Sequence, residues 1–414
     1  MEHHGHEVLV VGGGLVGASL AIALDRAGID VGLVDAAPPG ALPEAFDQRS
    51  LSFGEATVNA LHALGVMQHL RTPPAPIRRI HASRQGDFGR VVLEARDHDR
   101  DAFGQVVAAR DFGDALEARL AEAGKVTRYR PARFIGTAGV DGNRRRVRIA
   151  EGNAERDLAA TLLVAADGTN SNVREALGID VTRHDYGQVL MVGRVRLSRT
   201  PDGTAWERFG SYGPTALLPR GDGYHGVVHG VSAAGAPGVA ALDEAGWLAR
   251  LQGAMGWQAG RFLQGGPRSA YPMVRVVAHR TVAPRAVVVG NAAQTLHPIG
   301  AQGFNLGLRD ALALVETIQA HRSGVGGEGG SAQDCGAPGV LDAWERRRRE
   351  DRARTLAFSD GLAKLTANDT ALAGPLRSLG LVALAASPTA QAALVGGAMG
   401  YRGDTPALAR GTGA

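Results

Sequence analysis

Short apolar runs, each closed by a glycine-rich polar loop, alternate along this chain with stretches of helical spacing. Val8–Val11 is continuously apolar, as is Val31–Val34, and the residues between them run with the spacing of a helix over Ala18–Ala27. An apolar run without alternation predicts a strand covered on both faces, and strand–helix–strand predicts the opening of a parallel, doubly wound sheet. A second helix is predicted over Gly54–Leu64 and a third over Asp111–Ala123, where Leu116 and Leu120 lie one turn apart. Ile77–Glu94 reads as two strands about a Gln85-Gly86-Asp87 turn, and Arg133–Ile149 as two more about Asp141-Gly142-Asn143. Thr161–Ala165 and Ala286–Val289 read as further buried strands.

Between about 180 and 277 the pattern changes to polar strands broken by glycine: Val189–Leu197, Thr215–Leu218 and Tyr224–Val231, with one helix near Leu242–Leu251. This predicts an antiparallel sheet inserted into the first domain. The expected partition is 1–71, 97–179 and 278–322 for the first domain and 72–96 with 180–277 for the inserted sheet. A Gly-rich linker at 323–340 and a helical region at 341–414 complete it. Arg346–Arg349 and Arg352 are expected on a solvated helix face, and Arg144–Arg146 at a solvated hairpin tip. The apolar stretches Leu379–Ala386 and Ala390–Met399 are each too short to cross a bilayer, which takes about 20 residues, but long enough to lie on one.

Composition narrows the classes. Charged residues make up 21% and hydrophobic ones 44%, as in a soluble globular protein, and only Lys125 and Lys364 are lysines. A net charge of +4 favours an anionic cofactor or membrane surface. Nucleic acid is not expected, since no basic stripe interleaves with aromatics and aromatics are only 5%. Cys335 is the single cysteine, so no intrachain disulfide is expected, and the N-terminal residues carry no signal pattern. A cytoplasmic protein follows as the expectation.

Three motifs carry chemistry. Gly12-Gly13-Gly14-Leu15-Val16-Gly17 follows a strand and opens a helix. Gly12 serves the tight turn, Gly14 lets a pyrophosphate approach the backbone, and Gly17 lets helix and strand pack closely. Asp35 ends the second strand, where a carboxylate accepts bonds from ribose hydroxyls; NAD and FAD both fit. The second motif, Asp167 to Arg174, follows a strand and starts a helix that Ser171 can cap, a pattern that a purely structural turn shares. The third runs from Gly290-Asn291 through His297-Pro298 and Gly300-Ala301-Gln302-Gly303-Phe304-Asn305 to Asp310. It is a polar loop between a strand and a helix, where free N–H groups favour an anionic group. Arg49 and Arg110 stand where a guanidinium can reach a phosphate, and equally where a surface arginine would stand. Gly324-Val325-Gly326-Gly327-Glu328-Gly329 matches G-x-G-x-x-G formally but lacks both strand and helix.

In this order the three motifs resemble the single-component FAD-dependent aromatic hydroxylases, with the α/β fold of p-hydroxybenzoate hydroxylase. That fold is a Rossmann-type FAD domain with an inserted antiparallel-sheet substrate domain and C-terminal helices. The Gly290–Asp310 stretch, with Glu207-Arg208-Phe209, Gly213-Pro214 and Leu217-Leu218-Pro219, is similar to the ubiquinone-biosynthesis hydroxylases, in particular the 2-octaprenyl-6-methoxyphenol hydroxylase branch. The resemblance spans roughly residues 7–365.

It implies that Gly12, Gly14, Gly17 and Asp35 hold the FAD pyrophosphate and ribose, and that Arg49 and Arg110 flank the flavin. It places Asp167 and Gly168 at the approach of FAD and NAD(P)H. It sets Asn291, Gly300, Gly303 and Asn305 along the flavin, with His297, Pro298 and Gln302 in the catalytic loop. The implied reaction is NAD(P)H- and O2-dependent hydroxylation of a polyprenylated phenol through a flavin C4a-hydroperoxide. The substrate face would come from 189–231 and Tyr271–Val274. Such a substrate implies peripheral association with the inner face of the cytoplasmic membrane and contact with other ubiquinone-biosynthesis proteins. The chain departs from the family at Asp35, where Glu is common, at Asn291, where Asp is common, and in the order Gly300-Ala301.

No metal site is expected. His225 and His229 fall on strands without supporting ligands, and His3, His4 and His6 read as a disordered end. For His297, orientation is favoured over acid–base work. Two other readings stay open: a related hydroxylase of a small soluble aromatic, and a non-catalytic FAD-binding subunit of a biosynthetic complex.

Overall fold

The computed structural model describes residues 4–38, 41, 49–324, 334–367, 373–401 and 403–411; the formal glycine match lies, beyond Gly324, outside the described residues. β1 (His4–Val11), α1 (Leu15–Arg26) and β2 (Val31–Val34) form the expected opening of a parallel sheet. After β3 (Ser50–Gly54) and α2 (Glu55–Ala63) the chain makes β4 (Ala75–Pro76), β5 (Arg79–Arg84), β6 (Arg90–Glu94) and β7 (Gly104–Ala108). Of these, β3, β7 and β4 form a small sheet of their own, so β4 does not join the inserted sheet. α3 (Ala109–Ala121) then packs beside α1, and β8 (Val126–Tyr129) pairs parallel with β2. The hairpin of β9 (Arg133–Asp141) and β10 (Arg144–Glu151) turns at Asp141-Gly142 and runs into β11 (Ala154–Ala165). β11 lies parallel to β1 on its other side. Val8, Leu9 and Val10 are therefore covered on both faces and fully buried, which explains their unbroken apolar run.

α4 (Asn172–Ala176) leads into the second large sheet: β12 (Val181–Leu197), β13 (Thr204–Gly210), β14 (Gly213–Pro219) and β15 (His225–Ser232). α5 (Ala236–Ala240), α6 (Glu244–Met255) and β16 (Phe262–Ala278) follow. One face of this sheet carries Met191, Val195, Leu217 and Val227 and is closed by Trp247 and Leu251 of α6. The opposite face carries Ala205, which packs with Val395 and Met399, and Phe209, which packs with Ile299 and Ala363. β17 (Val282–Ala283) and β18 (Ala286–Val288) return the chain to the first sheet, where β18 pairs parallel with β11. β19 (Gln294–Thr295) then pairs with β16. The loop after β18 is thus hydrogen-bonded into both sheets, and the third motif sits at their junction.

α7 (Gln302–Arg322), α8 (Pro338–Ala367), α9 (Ala373–Ala386), α10 (Pro388–Met399) and α11 (Ala407–Arg410) complete the chain. α7 starts earlier than the apolar run from Ala311 suggests, and Leu306 through Val315 are all buried between α1 and α8. Among the described residues no single helix is long and apolar enough to cross a membrane; Ser378–Ala386 and Pro388–Met399 meet the test only together, bent by 96°.

Several polar expectations are corrected by packing. Arg348 does not face solvent: its Nε donates to Asp310 Oδ1 at 2.7 Å, and its guanidinium also reaches Asp351. Arg352 donates to Gln294 Oε1 at 2.8 Å and Arg347 to Glu316 at 2.6 Å, leaving Arg346 and Arg349 as the exposed members of the run. Arg145 is buried and donates to Pro284 O at 2.5 and 3.1 Å, joining the hairpin to the β17–β18 turn. His6 is no loose end, since its ring bridges Asp30 and the Tyr129 hydroxyl, each at 2.7 Å. Within 323–340, Cys335 is buried and Arg285 holds Asp334 at 2.7 and 2.8 Å, so this part of the expected linker is packed.

Candidate active site

At the first motif, backbone geometry separates three roles. A Cβ on Gly17 would meet Gly12 O at 1.9 Å, and one on Gly12 would meet Ala166 O at 2.4 Å, so these two glycines exist for backbone contact. A Cβ on Gly14 would meet none of the described residues within 4 Å. Gly14 is the N-cap of α1 and supplies no side-chain cap, so it leaves the first-turn N–H groups without a side-chain acceptor of its own. Asp35 stands next to the turn: its Oδ2 would lie 2.5 Å from a Cβ on Gly13. Arg130 lies 3.7 Å from the same oxygen, and Oδ1 accepts from Ala37 N at 3.1 Å. This cradle fits a dinucleotide, with the pyrophosphate over Gly14 and the α1 N-terminus and the ribose at Asp35.

The second motif is structural at its centre. Asp167 accepts from the Ser171 hydroxyl and from Val173 N at 3.1 Å, and Ser171 Oγ accepts from Arg174 N at 2.9 Å, which caps α4. The carboxylate expected at the cofactor approach therefore spends its bonds on the turn. Gly168 adopts a φ of 87°, which suits glycine. Arg174, which the sequence did not single out as a tie, is buried and donates to Thr169 O at 3.1 Å and Ala292 O at 2.8 Å. It locks the second motif to the third.

The third motif approaches the first directly. A Cβ on Gly307 would lie 2.9 Å from Val16 Cγ2 and 3.1 Å from Gly290 Cα, so α7, α1 and the β18 loop touch backbone to side chain. His297 is buried, with Nε2 3.2 Å from Gln188 Oε1 and Nδ1 accepting from Ile299 N at 3.3 Å. Its ring meets Tyr186 edge-on at 5.1 Å. Burial lowers its pKa to about 4, so it is neutral and fully engaged. Gln302, expected in the catalytic set, is buried and donates to Gly300 O at 2.9 Å, which shapes the loop instead. Asn305 donates to Ser52 O at 3.2 Å and Ala301 O at 2.6 Å and accepts from Gly54 N at 3.1 Å. Read as a cofactor ligand, it is instead a three-way clamp between β3 and the loop.

Pro298, Gly300 and Asn291 are exposed, and a Cβ on Gly303 would meet nothing within 4 Å. These positions and the uncapped start of α7 are what a flavin would meet. A helix start there favours negative charge on a reduced flavin. The altered Gly300-Ala301 order has a cost. Ala301 takes a φ of 53°, in the left-handed region, where a Cβ is strained by about 1 kcal/mol. Arg49 lies 4.6 Å above the Tyr271 ring, so it bridges the first unit to the face of the second sheet. Arg110 is exposed on the first turn of α3 and is not drawn into this assembly. Among the described residues no group of three or more His, Cys, Asp or Glu side chains is placed to hold a metal. Instead, His229 pairs with Thr215 Oγ1 at 2.8 Å and Arg250 at 3.0 Å.

A dinucleotide cradle facing a second sheet across one loop defines a class, the flavin-dependent monooxygenases. The family model described as an FAD binding domain matches residues 6–350. The p-nitrophenol 4-monooxygenase PnpA of Pseudomonas putida has the same fold, with a TM-score of 0.77 at 16% identity over 97% of this chain and 100% of that one. The ubiquinone hydroxylase UbiL of Rhodospirillum rubrum is 34% identical over 91% of this chain and 86% of the relative. The 3-demethoxyubiquinol 3-hydroxylase of Escherichia coli is 30% identical over 78% and 82%. The chain belongs to the FAD-dependent hydroxylases of ubiquinone biosynthesis. FAD is its cofactor, and NAD(P)H and O2 are the co-substrates typical of the family.

Proposed function

We propose that this enzyme hydroxylates the ring of a polyprenylated phenol of the 2-polyprenyl-6-methoxyphenol type, at the inner face of the cytoplasmic membrane. The observation that carries the reading is an apolar seam between the second sheet and the C-terminal helices. Ile80, Leu218 and Ala205 of the sheet pack there against Leu381, Leu384, Leu394, Val395 and Met399. At its outer end Leu379 and Val382 are exposed by 57% and 47%. A prenyl tail laid along this seam reaches from the membrane surface to the sheet face beside the flavin loop. A small soluble aromatic needs no such seam.

Bound FAD, reduced by NAD(P)H, supplies the activation of O2. The chain's own residues hold it and aim the ring. The Gly12–Gly17 turn and Asp35 hold the nucleotide, and the His297–Ala301 loop presents the flavin edge. Phe209 packed on Ile299 closes that loop against the sheet, which excludes water. The test is product analysis of purified enzyme with NAD(P)H, O2 and either 2-geranyl-6-methoxyphenol or 4-hydroxybenzoate. Hydroxylated prenylphenol without hydroxylated benzoate supports the reading; the reverse preference defeats it.

A further inference from the structure

One acid stands on the sheet face that looks toward the flavin loop. Along β13, Trp206 packs with the cluster under α6, and Arg208 Nη1 donates to Met255 O at 2.9 Å. The alternate residues point the other way, Ala205 against Val395 and Met399 and Phe209 against Ile299 and Ala363. Glu207 lies between these two, on their face. Its cross-strand neighbours are Ala216 on β14 and Ala82 on β5, and Val228 on β15 lies beyond Ala216. All four are half-buried, while Ala205 and Phe209 on either side of Glu207 are buried, so this row is a partly uncovered strip in which Glu207 is flanked by two alanines.

Glu207 has no hydrogen bond or ion pair among the described residues. The charged groups on the neighbouring elements beside this row are already engaged. Arg84 on β5 lies 3.7 Å from Asp87, and Arg194 on β12 lies 3.7 Å from Asp222. On α8, Lys364 lies 2.8 Å from Asp360, which also accepts from Tyr186 at 3.0 Å. On this face β14 and β15 present Ala216 and Val228, neither ionisable. Burial alone pushes the Glu207 carboxyl up to about 7, which brings it closer to a phenol's ordinary value of about 10.

We propose that Glu207 is a catalytic residue of this hydroxylase, whose carboxylate accepts the hydrogen bond and then the proton of the substrate phenol. The inference rests on the phenol-hydroxylase reading above. The phenol O–H bond breaks as a bond to hydrogen forms on a Glu207 carboxylate oxygen. The electron pair stays on the phenol oxygen and enriches the ring carbon that receives the new oxygen atom. That carbon then loses its hydrogen as a proton, which ends in the water formed from the second oxygen atom of O2, and Glu207 returns the stored proton to the original phenol oxygen as aromaticity is restored. The oxygen atom comes from O2, and NAD(P)H supplies the two electrons that release the other as water.

The test compares the FAD-loaded wild type with Glu207→Gln and Glu207→Asp, using 2-geranyl-6-methoxyphenol. Two readouts are taken: the pH profile of kcat/KM for hydroxylated product, and the Kd of the phenol without NAD(P)H, followed by flavin fluorescence. In the wild type both should weaken as pH falls below about 7. Glu207→Gln should lower kcat/KM by about 10²-fold or more and flatten both profiles, and Glu207→Asp should restore a pH-dependent limb. A Gln variant with wild-type rate and wild-type pH profiles overturns the assignment. Wild type that binds the phenol with this pH dependence but forms no hydroxylated product overturns the function reading instead, since the titration needs no turnover. If the Gln variant fails to hold FAD, the wild-type phenol titration decides: a Kd that does not weaken as pH falls below about 7 overturns the proposal.

Discussion

Single residues divide the site into groups that hold the chain and groups that meet a ligand. Gly14 and Gly17 belong to one motif but answer to different forces. Gly14→Ala adds a methyl where no described residue lies within 4 Å, so it should leave the melting temperature unchanged while lowering FAD content, read from absorbance of the purified protein. Gly17→Ala drives a Cβ into Gly12 O and should lower the melting temperature whether or not FAD is present. Equal losses of stability in the two variants would contradict this division. Protonation offers a second residue-level test. His225, His229 and His297 are all buried with pKa lowered from 6.5 to about 4. Between those values the unfolded chain binds more protons than the folded one, so stability rises with pH across this window and falls on acidification through it. Each contributes on the order of 2–3 kcal/mol by pH 4. His225 Nδ1 has no hydrogen-bond partner among the described residues, so His225→Leu should remove one contribution and shrink the acid loss seen in urea titrations at pH 7 and 4.5. An undiminished loss in that variant would assign the acid sensitivity elsewhere.

At the scale of elements, a buried ionic lattice decides how α8 is held. Asp310 receives Arg348 at 2.7 Å, Gln294 Nε2 at 2.9 Å and, through its carbonyl, Trp344 Nε1 at 2.9 Å. Arg309 Nε reaches Asp351 at 2.8 Å. Removing the Asp310 carboxylate leaves two buried guanidiniums, Arg309 and Arg348, sharing Asp351 alone, so Asp310→Ala should cost about 3–5 kcal/mol in urea unfolding. Replacing both partners, Asp310→Leu with Arg348→Met, should recover much of that loss. A single variant as stable as wild type would mean that water reaches Arg348. This lattice also shows where sequence reading stops. The parallel strands and the glycine turn were legible because their cause is local: continuous apolar runs and backbone close approach. Arg348 was expected in solvent because four consecutive arginines look alike until a partner from another helix is placed beside one of them. Asn305 and Gln302 were legible as members of a loop, but their amides turned out to bind the chain's own carbonyls. Glu207 was legible only as part of a resemblance, since its significance depends on β5 and β14 bringing alanines, not cations, to its sides.

On the proposed reading, the sheet face that handles the ring lies between water at one end and a membrane surface at the other. One end opens on the flavin loop, where NAD(P)H must arrive from water; the other follows the seam under α9 and α10. The net charge of +4 adds a mild attraction to an anionic surface. If the bent helix pair rests on the bilayer, Leu379 and Val382 insert first, because they are already uncovered. Leu379→Ser with Val382→Ser withdraws apolar surface worth on the order of 3 kcal/mol, about a hundredfold in partition. The double variant should then fail to float with anionic liposomes that carry the wild type. Its kcat/KM for a long-tailed phenol presented in vesicles should fall by a similar factor, while turnover of the short geranyl analogue in solution stays unchanged. The split between the two substrates is the discriminating result, because damage to the active site would slow both. Equal flotation of wild type and double variant would remove these helices from the membrane contact and leave the seam as interior packing only.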